Sequence, residues 1–253
     1  MADVLQLERR GGVLLMTMNR PEARNAIDQA LGTAIEAAVT ELDDDPDLAV
    51  GVLTGAGGTF CSGMDLKAFA RGEVVTTGRG FGGITQQPPE KPMIAAVEGW
   101  ALAGGCELAL ACDLLVAARG ARLGLPEVKR GLVAAAGGLS RLPLSLPHQL
   151  AMELALTGEP ITAERAYDAG MVNRLVEPGR AVEEALALAG QVAANAPLAL
   201  RTSKWILTRA TGRDDQDLWR EQEERAAAIM LSQDALEGAT AFAEKREPRW
   251  TGR

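Results

Sequence analysis

Histidine is almost absent from this chain: His148 is the single one in 253 residues. That scarcity removes the base from a Ser-His-Asp arrangement and the ligands from an HExxH or His-rich metal site. Acid-base chemistry must therefore fall to carboxylates. His148 stands in LSLPHQLAM, a turn entering a helix-like run, and reads as a surface or capping residue. Cysteine is scarce too. Cys61, Cys106 and Cys112 show no CxxC spacing, and an odd number makes a poor disulfide framework. A reducing compartment, the cytoplasm, is the expectation. Aromatic residues make up only 4%, so the core has to pack small and aliphatic side chains closely. Positive charge is in deficit, with 26 Lys and Arg against 34 Asp and Glu and a net charge of -8. That argues against nucleic acid and against an anionic membrane surface as partners. No cationic start leads into an apolar signal-type segment, and charges interrupt every apolar stretch before it reaches membrane-spanning length.

What is plentiful is hydrophobic residues, at 47%, and glycine, at 28 positions. The length allows one large domain or two small ones, and glycine at this level implies tight turns and close backbone approaches. Residues 4–8 and Val13–Met18 read as strands around a Gly11-Gly12 turn. Asp28 is placed to cap a helix running to about Leu42, with Leu31, Ile35, Ala38, Val39 and Leu42 on one face. Strands are expected at 50–54, 92–97, 114–117 and 172–176. Gly99 and Gly104-Gly105 read as turns, with a helix from Cys106 to Ala111. Residues 71–92 are rich in Gly, Thr, Pro and Gln and read as a mobile loop region with at most a short helix. From about Gln149 helices dominate, at 149–156, 163–169, 181–194, 198–210, 216–230 and 234–244. Alternation early and helices late make this an α/β chain.

Three segments carry candidate chemistry: Phe60-Cys61-Ser62-Gly63-Met64-Asp65-Leu66, Trp100 to Leu108, and Leu125 to Gly131. In the first two, glycine sits at a strand-to-helix transition. A helix start leaves N–H groups without partners, and two of them converging make an oxyanion hole. Glycine pairs before helices are more often plain turns. Glu107 has Cys106, Leu108, Ala109 and Leu110 beside it; burial there would raise its pKa into a range useful for proton transfer. The plain alternative is a first-turn glutamate facing the helix dipole. Glu127, after Pro126, has the same two readings. Twenty positions separate the two glutamates, so only the fold can bring them together.

These segments resemble the crotonase (enoyl-CoA hydratase/isomerase) superfamily over essentially the whole length. The likeness runs from Asn19-Arg20-Pro21 and Arg24-Asn25-Ala26 through LTGAGGTFCSGMDLK, KPMIAAVEGWALAGGCELALACD, RLGLPEVKRGLVAAAGG and LTGEPITAERAYDAGMVNRLV to EGATAFAEKREPRW. The resemblance implies an α/β fold, a crotonase spiral of ββα units with a helical C-terminal trimerisation portion. Residues 1–195 would form the core with the active site, and 196–253 the trimerisation region of a homotrimer or a hexamer. It implies an acyl-CoA thioester as substrate and no metal or redox cofactor. The oxyanion donors map onto the N–H groups of Met64 and Gly104. Met64, Asp65, Leu66, Lys67 and Gly104, with Arg24 and Ala26, would lie along the substrate. Phe242 and Lys245, on the last helix, would reach a neighbour's CoA site, although a helix docked on its own subunit serves equally well.

Hydratases of the family carry two glutamates, and Glu107 and Glu127 fill both positions. The expected activity is reversible addition of water to a trans-2-enoyl-CoA, Glu107 activating water and Glu127 protonating Cα. Ala103 departs from a more usual glycine. Residues 133–136 replace a Pro-Gly stretch in which an N–H near Ala135 would help hold the water. LPEVKRGLVAAAGGLSRLP and the ending also resemble the carnitinyl-CoA dehydratase branch, whose acyl group carries a trimethylammonium that aromatic walls such as Trp100, Phe69 or Phe81 would suit. Isomerase activity is a further alternative. A non-catalytic acyl-CoA binder would lose the glutamates, and an RNA-binding homologue would need a basic helix. A thioester hydrolase would use Ser62, which lacks a base.

Overall fold

The chain opens with a hairpin. In the computed structural model, which describes residues 3–195, 197–210, 227 and 230–246, β1 (Leu5–Arg10) pairs antiparallel with β2 (Val13–Met18) across Gly11 at φ +60°. A 3-10 turn, Pro21–Ala23, leads to α1 (Gln29–Asp44). Asp28 caps that helix, its carboxylate accepting from Leu31 N at 2.9 Å. The expected stripe of Leu31, Ile35, Ala38, Val39 and Leu42 is buried. There follow β3 (Val50–Gly55), α2 (Leu66–Ala70), the short hairpin β4 (Thr76–Thr77) and β5 (Gly80–Phe81), β6 (Met93–Val97), β7 (Trp100–Leu102), α3 (Gly104–Ala111), β8 (Leu114–Ala118) and β9 (Arg122–Gly124). A second 3-10 turn, Pro126–Arg130, precedes α4 (Gly138–Ser145), α5 (His148–Thr157), β10 (Ile161–Thr162), α6 (Ala163–Asp168), β11 (Arg174–Val176), α7 (Ala181–Ala193), α8 (Pro197–Ala210) and α9 (Gln233–Glu244).

Six strands form the main sheet in the order β1-β2-β3-β6-β8-β11, parallel from β2 onward. Both faces of that parallel part are covered, which is why its strands read as unbroken apolar runs. Val13, Leu15, Val50, Val52, Ile94, Ala96 and Val116 face α7, whose Ala181, Ala185 and Ala189 recur every fourth residue against them. Leu14, Met16, Met18, Leu53, Met93, Ala95 and Val97 face the larger core with α1 and α3.

The second layer explains the winding. β7 and β9 pair in parallel in a smaller sheet with β10. Isolated parallel bridges continue the same stacking, Cys61 with Ala101 and Ile27 with Met64. Each turn of the chain thus gives a strand to the main sheet, a strand or single bridge to the second layer, and then a helix. This is the expected ββα spiral. Its second layer brings residues 26–27, 61–64, 101–104 and 123–127 side by side.

Several elements differ from the sequence reading. Gly104 and Gly105 open α3 instead of forming a separate turn. The strands β7, β9 and β10 are two or three residues long, too short for a periodicity to show. α4 is unexpected because Pro143 lies inside it. Residues 71–92 hold a hairpin, and they are tied down: Arg79 pairs with Asp43 at 3.1 Å, and Val75 and Ile84 are buried. α8 is pinned by Lys204, which pairs with Asp113 at 2.6 Å and donates to the Lys91 carbonyl at 3.0 Å. α9 lies on the second 3-10 turn so closely that a Cβ on Gly238 would stand 1.8 Å from Arg130 O. The helix expected at 216–230 falls largely outside the described residues. Among the described residues no helix is long and apolar enough to cross a membrane.

Asp28 joins two parts of the fold, since its other oxygen pairs with Arg20 at 3.1 Å. Asp28→Ala should lower stability by about 1 kcal/mol, the usual value of a lost cap. Urea unfolding checks this, as a lower midpoint at unchanged slope.

Candidate active site

The turn that precedes α1 is built by two polar side chains. Asn25, fully buried and at φ +55°, accepts from Arg20 N and donates to the carbonyls of Ala56 (2.9 Å) and Thr59 (2.7 Å). Arg20 donates to the Ala26 carbonyl and pairs with Asp65 at 2.9 Å. These bonds lock the residue 20–28 turn to the residue 56–65 segment. The remaining oxygen of Asp65 caps α2, accepting from Lys67 N (3.0 Å) and Ala68 N (3.1 Å). Burial works to raise the Asp65 pKa, but the Arg20 bond and the backbone donors outweigh it and hold the carboxyl below its usual range. The Asp65 side chain is therefore engaged in the fold, where a substrate contact was expected of it.

Two chain segments meet almost backbone to backbone beside this turn. Gly63, at φ +100°, has no room for a side chain: a Cβ there would stand 2.8 Å from the Ala103 Cβ and 3.1 Å from Gly104 N. A Cβ on Gly105 would stand 2.1 Å from the Cys61 carbonyl oxygen. On one side, Ile27 N bonds the Gly63 carbonyl and Asp65 N bonds the Ile27 carbonyl. In a parallel bridge that pattern turns the N–H of Met64, the residue between, away from Ile27. On the other side, Gly104 is the first residue of α3 and has no carbonyl four residues back within the helix. Ala103 caps that helix at φ 52°, ψ -129°. This is a conformation suited to glycine, and it costs about 1–3 kcal/mol in another residue. The departure seen in the sequence at Ala103 is thus a point of backbone strain beside Gly104.

The two glutamates come together here. Glu107, on the first turn of α3, is 3% exposed, and Glu127, in the second 3-10 turn, is 9% exposed. Glu107 Oε1 accepts from Ala136 N at 2.7 Å and Gly138 N at 2.9 Å. Glu127 Oε2 is buried and accepts no hydrogen bond from the protein. Burial raises the Glu107 pKa to about 7, against those two backbone donors and the charge of Arg141. Burial, and then the charge of Glu107, raise Glu127 to about 8. A pair so placed keeps a proton near neutrality, because two like charges cannot share a dry site.

The sequence reading missed the clasp on Glu107. The N–H expected near Ala135 to hold a water lies next to that of Ala136, which is bonded to Glu107 itself. The signal was the Gly137-Gly138 pair: Gly137 sits at φ +96°, and a Cβ on Gly138 would stand 2.9 Å from Glu107 Cγ. Phe81 is a further wall, since a Cβ on Gly104 would stand 2.4 Å from its ring. Of the other expected contacts, Ala26 is buried next to Ile27, Met64 and Leu66 are half-buried, and Arg24 and Lys67 are exposed. Ser62 Oγ lies 3.5 Å from the Ala23 carbonyl as a turn residue. His148 is exposed at the start of α5. Phe242 is half-exposed with Arg130 of its own chain 5.1 Å above its ring, and Lys245 ends α9 at φ +54°. Within the chain, α9 packs on the second 3-10 turn. Among the described residues no cluster of three or more His, Cys, Asp or Glu is placed to hold a metal.

A ββα spiral with paired buried carboxyls beside two close-approaching glycine segments is an architecture of the crotonase type. The chain belongs to the enoyl-CoA hydratase/isomerase family, whose model matches residues 8–253. A carnitinyl-CoA dehydratase of Salmonella arizonae is 43% identical over 266 residues, covering 100% of both chains. The crystal structure of a carnitinyl-CoA hydratase from Mycobacterium avium is 46% identical with a TM-score of 0.94, again over 100% of both chains. That of an enoyl-CoA hydratase from Mycobacterium marinum is 54% identical with a TM-score of 0.82, over 99% of this chain and 100% of that one.

The raised carboxyls have a consequence for stability. Between the ordinary value of 4.5 and the raised values of about 7 and about 8, the folded chain binds more protons than the unfolded one. Their contribution is complete at low pH and is lost as pH rises through those values. Wild type should therefore melt progressively lower from about pH 4.5 to about pH 8, and Glu127→Gln should flatten the decline. Calorimetric melts across that range decide it; equal slopes would contradict a buried, mutually repelling pair.

Proposed function

We propose that this protein is a 2-enoyl-CoA hydratase, adding water reversibly and to one face of a trans-2-enoyl-CoA. The observation that carries the reading is the pairing of two buried, proton-retaining carboxyls with the N–H groups of Met64 and Gly104. In this reading the thioester oxygen lies between those two donors, and the charge it gains as an enolate is stabilised there. Glu107, clasped by Ala136 and Gly138, accepts a proton from water as the oxygen attacks Cβ. Glu127, whose Oε2 has no protein donor, delivers a proton to Cα. The water takes its place against that open oxygen. No metal or redox cofactor has a part in these steps; coenzyme A belongs to the substrate. Ala26, Met64 and Leu66 line the way for the thioester and pantetheine, with Arg24 and Lys67 outside as cations for phosphate.

A second reading concerns the acyl group. The full-length likeness to proteins named carnitinyl-CoA dehydratase and hydratase favours an acyl group bearing a trimethylammonium. Of Trp100, Phe69 and Phe81, it is Phe81 whose ring lies against Gly104, the side from which an aromatic face could receive that cation. The assembly we infer is a homotrimer or a dimer of trimers. Val128, Leu144, Met152, Leu156 and Tyr167 are large apolar side chains exposed on the single chain, apolar surface that an interface would cover. Sedimentation should give three or six copies; a monomer at micromolar concentration would overturn that part.

The decisive assay follows loss of the enoyl chromophore of crotonyl-CoA and, separately, crotonobetainyl-CoA. Glu107→Gln and Glu127→Gln should each lower kcat by about 10² to 10⁴, the usual contribution of a general acid or base. A preference for crotonobetainyl-CoA selects the second reading of the acyl group. An enzyme inert toward both, and toward longer 2-enoyl-CoA thioesters, is not a hydratase.

A further inference from the structure

Arg20, between β2 and the first 3-10 turn, gathers three groups of the site on one side chain. Its guanidinium is mostly buried. Nη2 pairs with Asp65 at 2.9 Å and with Asp28 at 3.1 Å, and Nη1 donates to the Ala26 carbonyl. Its backbone is held as well: Arg20 N donates to the Asn25 side chain at 2.9 Å, and its carbonyl accepts from Asn25 N at 2.9 Å. The three partners are not scattered. Ala26 and Asp28 flank Ile27, and Asp65 follows Met64, so the guanidinium brackets the isolated bridge between Ile27 and Met64. That bridge decides where a donor points. Ile27 N donates to the Gly63 carbonyl at 2.8 Å, and Asp65 N to the Ile27 carbonyl at 2.9 Å. The Gly63 carbonyl and the Met64 N–H belong to one planar trans peptide, in which the two point in opposite directions. With its carbonyl held on Ile27, that peptide turns the Met64 N–H away from Ile27. Gly63 itself stands against α3, where a Cβ on it would lie 3.1 Å from Gly104 N.

We propose that Arg20 is a positioning residue: by bridging the Ala26 carbonyl, Asp28 and Asp65 it holds the Ile27–Met64 bridge closed, and so aims the Met64 N–H at the thioester oxygen. This deepens the hydratase reading and rests on it for the role of that N–H. The charge of Arg20 matters as much as its reach. Asp28 and Asp65 both contact the same nitrogen. Each also caps a helix, Asp28 on α1 and Asp65 on α2, so neither carboxylate can swing away without giving up backbone donors. With the cation gone, two like charges would face each other across the bridge and repel. The segments would then part where the Gly63–Met64 peptide needs them together. A glutamine in place of Arg20 loses the charge; a lysine keeps the charge and loses the fork.

The experiment reads the carbonyl stretch of bound butyryl-CoA, isotope-labelled at the thioester carbon, by infrared difference spectroscopy. A saturated thioester takes up no water, so turnover does not intrude. In wild type the stretch should fall below that of free butyryl-CoA, because the donors polarise the carbonyl. Arg20→Gln should move it back toward the free value and lower kcat on crotonyl-CoA by about 10²-fold, the lower end of what a lost oxyanion donor costs. Arg20→Lys should recover most of both. Adding Asp65→Asn to Arg20→Gln should recover part, since it removes the repulsion and keeps an oxygen for the α2 cap. A stretch unmoved in folded Arg20→Gln overturns the proposal, and so does a wild type that does not lower the butyryl-CoA stretch at all. Where Arg20→Gln does not fold, Asp65→Asn alone decides: a stretch moved partway to the free value supports the proposal, and an unmoved one overturns it. A protein whose stretch responds to Arg20 but which hydrates no 2-enoyl-CoA loses the hydratase reading and keeps the positioning role. A hydratase whose stretch ignores Arg20 keeps the first and loses the second.

Discussion

Everything at the site depends on two backbone segments lying closer together than any side chain would permit. Gly63 against Ala103 and Gly104, and Gly105 against the Cys61 carbonyl, leave no space for a Cβ. That contact brings Gly63, next to Met64, up against the Gly104 N–H, a group with no carbonyl four residues back within α3. The contact is made by the second layer of the spiral, through the Cys61–Ala101 bridge and the β7–β9 pairing. The main sheet acts at one remove: it holds β3, β6 and β8 in parallel register so that the segments following them arrive at one level.

The same close packing creates the electrostatics. Glu107 and Glu127 are carried into a dry interior by helical segments whose neighbours are apolar, and desolvation is the largest influence on both. Left alone, two such carboxyls would both be protonated near neutrality. The Ala136 and Gly138 donors counter that for Glu107 and leave Glu127 without an equivalent. Two carboxyls of one residue type thus come to differ through unequal hydrogen bonding.

The outer parts support this arrangement through few contacts. The 71–92 segment is composed like a loose loop, yet it is fixed by Arg79 to Asp43, by Arg141 to Thr85, and by the Phe81 ring over Gly104. α9 is seated on the turn that carries Glu127 through Gly238, with Arg130 lying over Phe242. Changes in either part would reach the carboxyls through backbone that has no slack.

Much of this was legible in the chain. The near absence of histidine pointed acid-base work to carboxylates, and apolar periodicity located α1 with its Asp28 cap. Family-like segments singled out Met64, Gly104, Glu107 and Glu127, all of which the fold gathers in one place. What the sequence determined by itself was the set of groups available and the elements strong enough to declare themselves locally. The strands β7, β9 and β10 were not legible, because two or three residues carry no period. The ties of Asp65 were not legible either, since only the arrival of Arg20 and the α2 N–H groups shows its oxygens to be engaged. The clasp of Ala136 and Gly138 on Glu107, the unequal surroundings of the two glutamates and the reach of Arg141 to Thr85 were decided by tertiary structure alone. Each joins residues 29 to 56 positions apart, and hydrogen bonding and desolvation at such separations depend on where the chain returns, which no local pattern encodes.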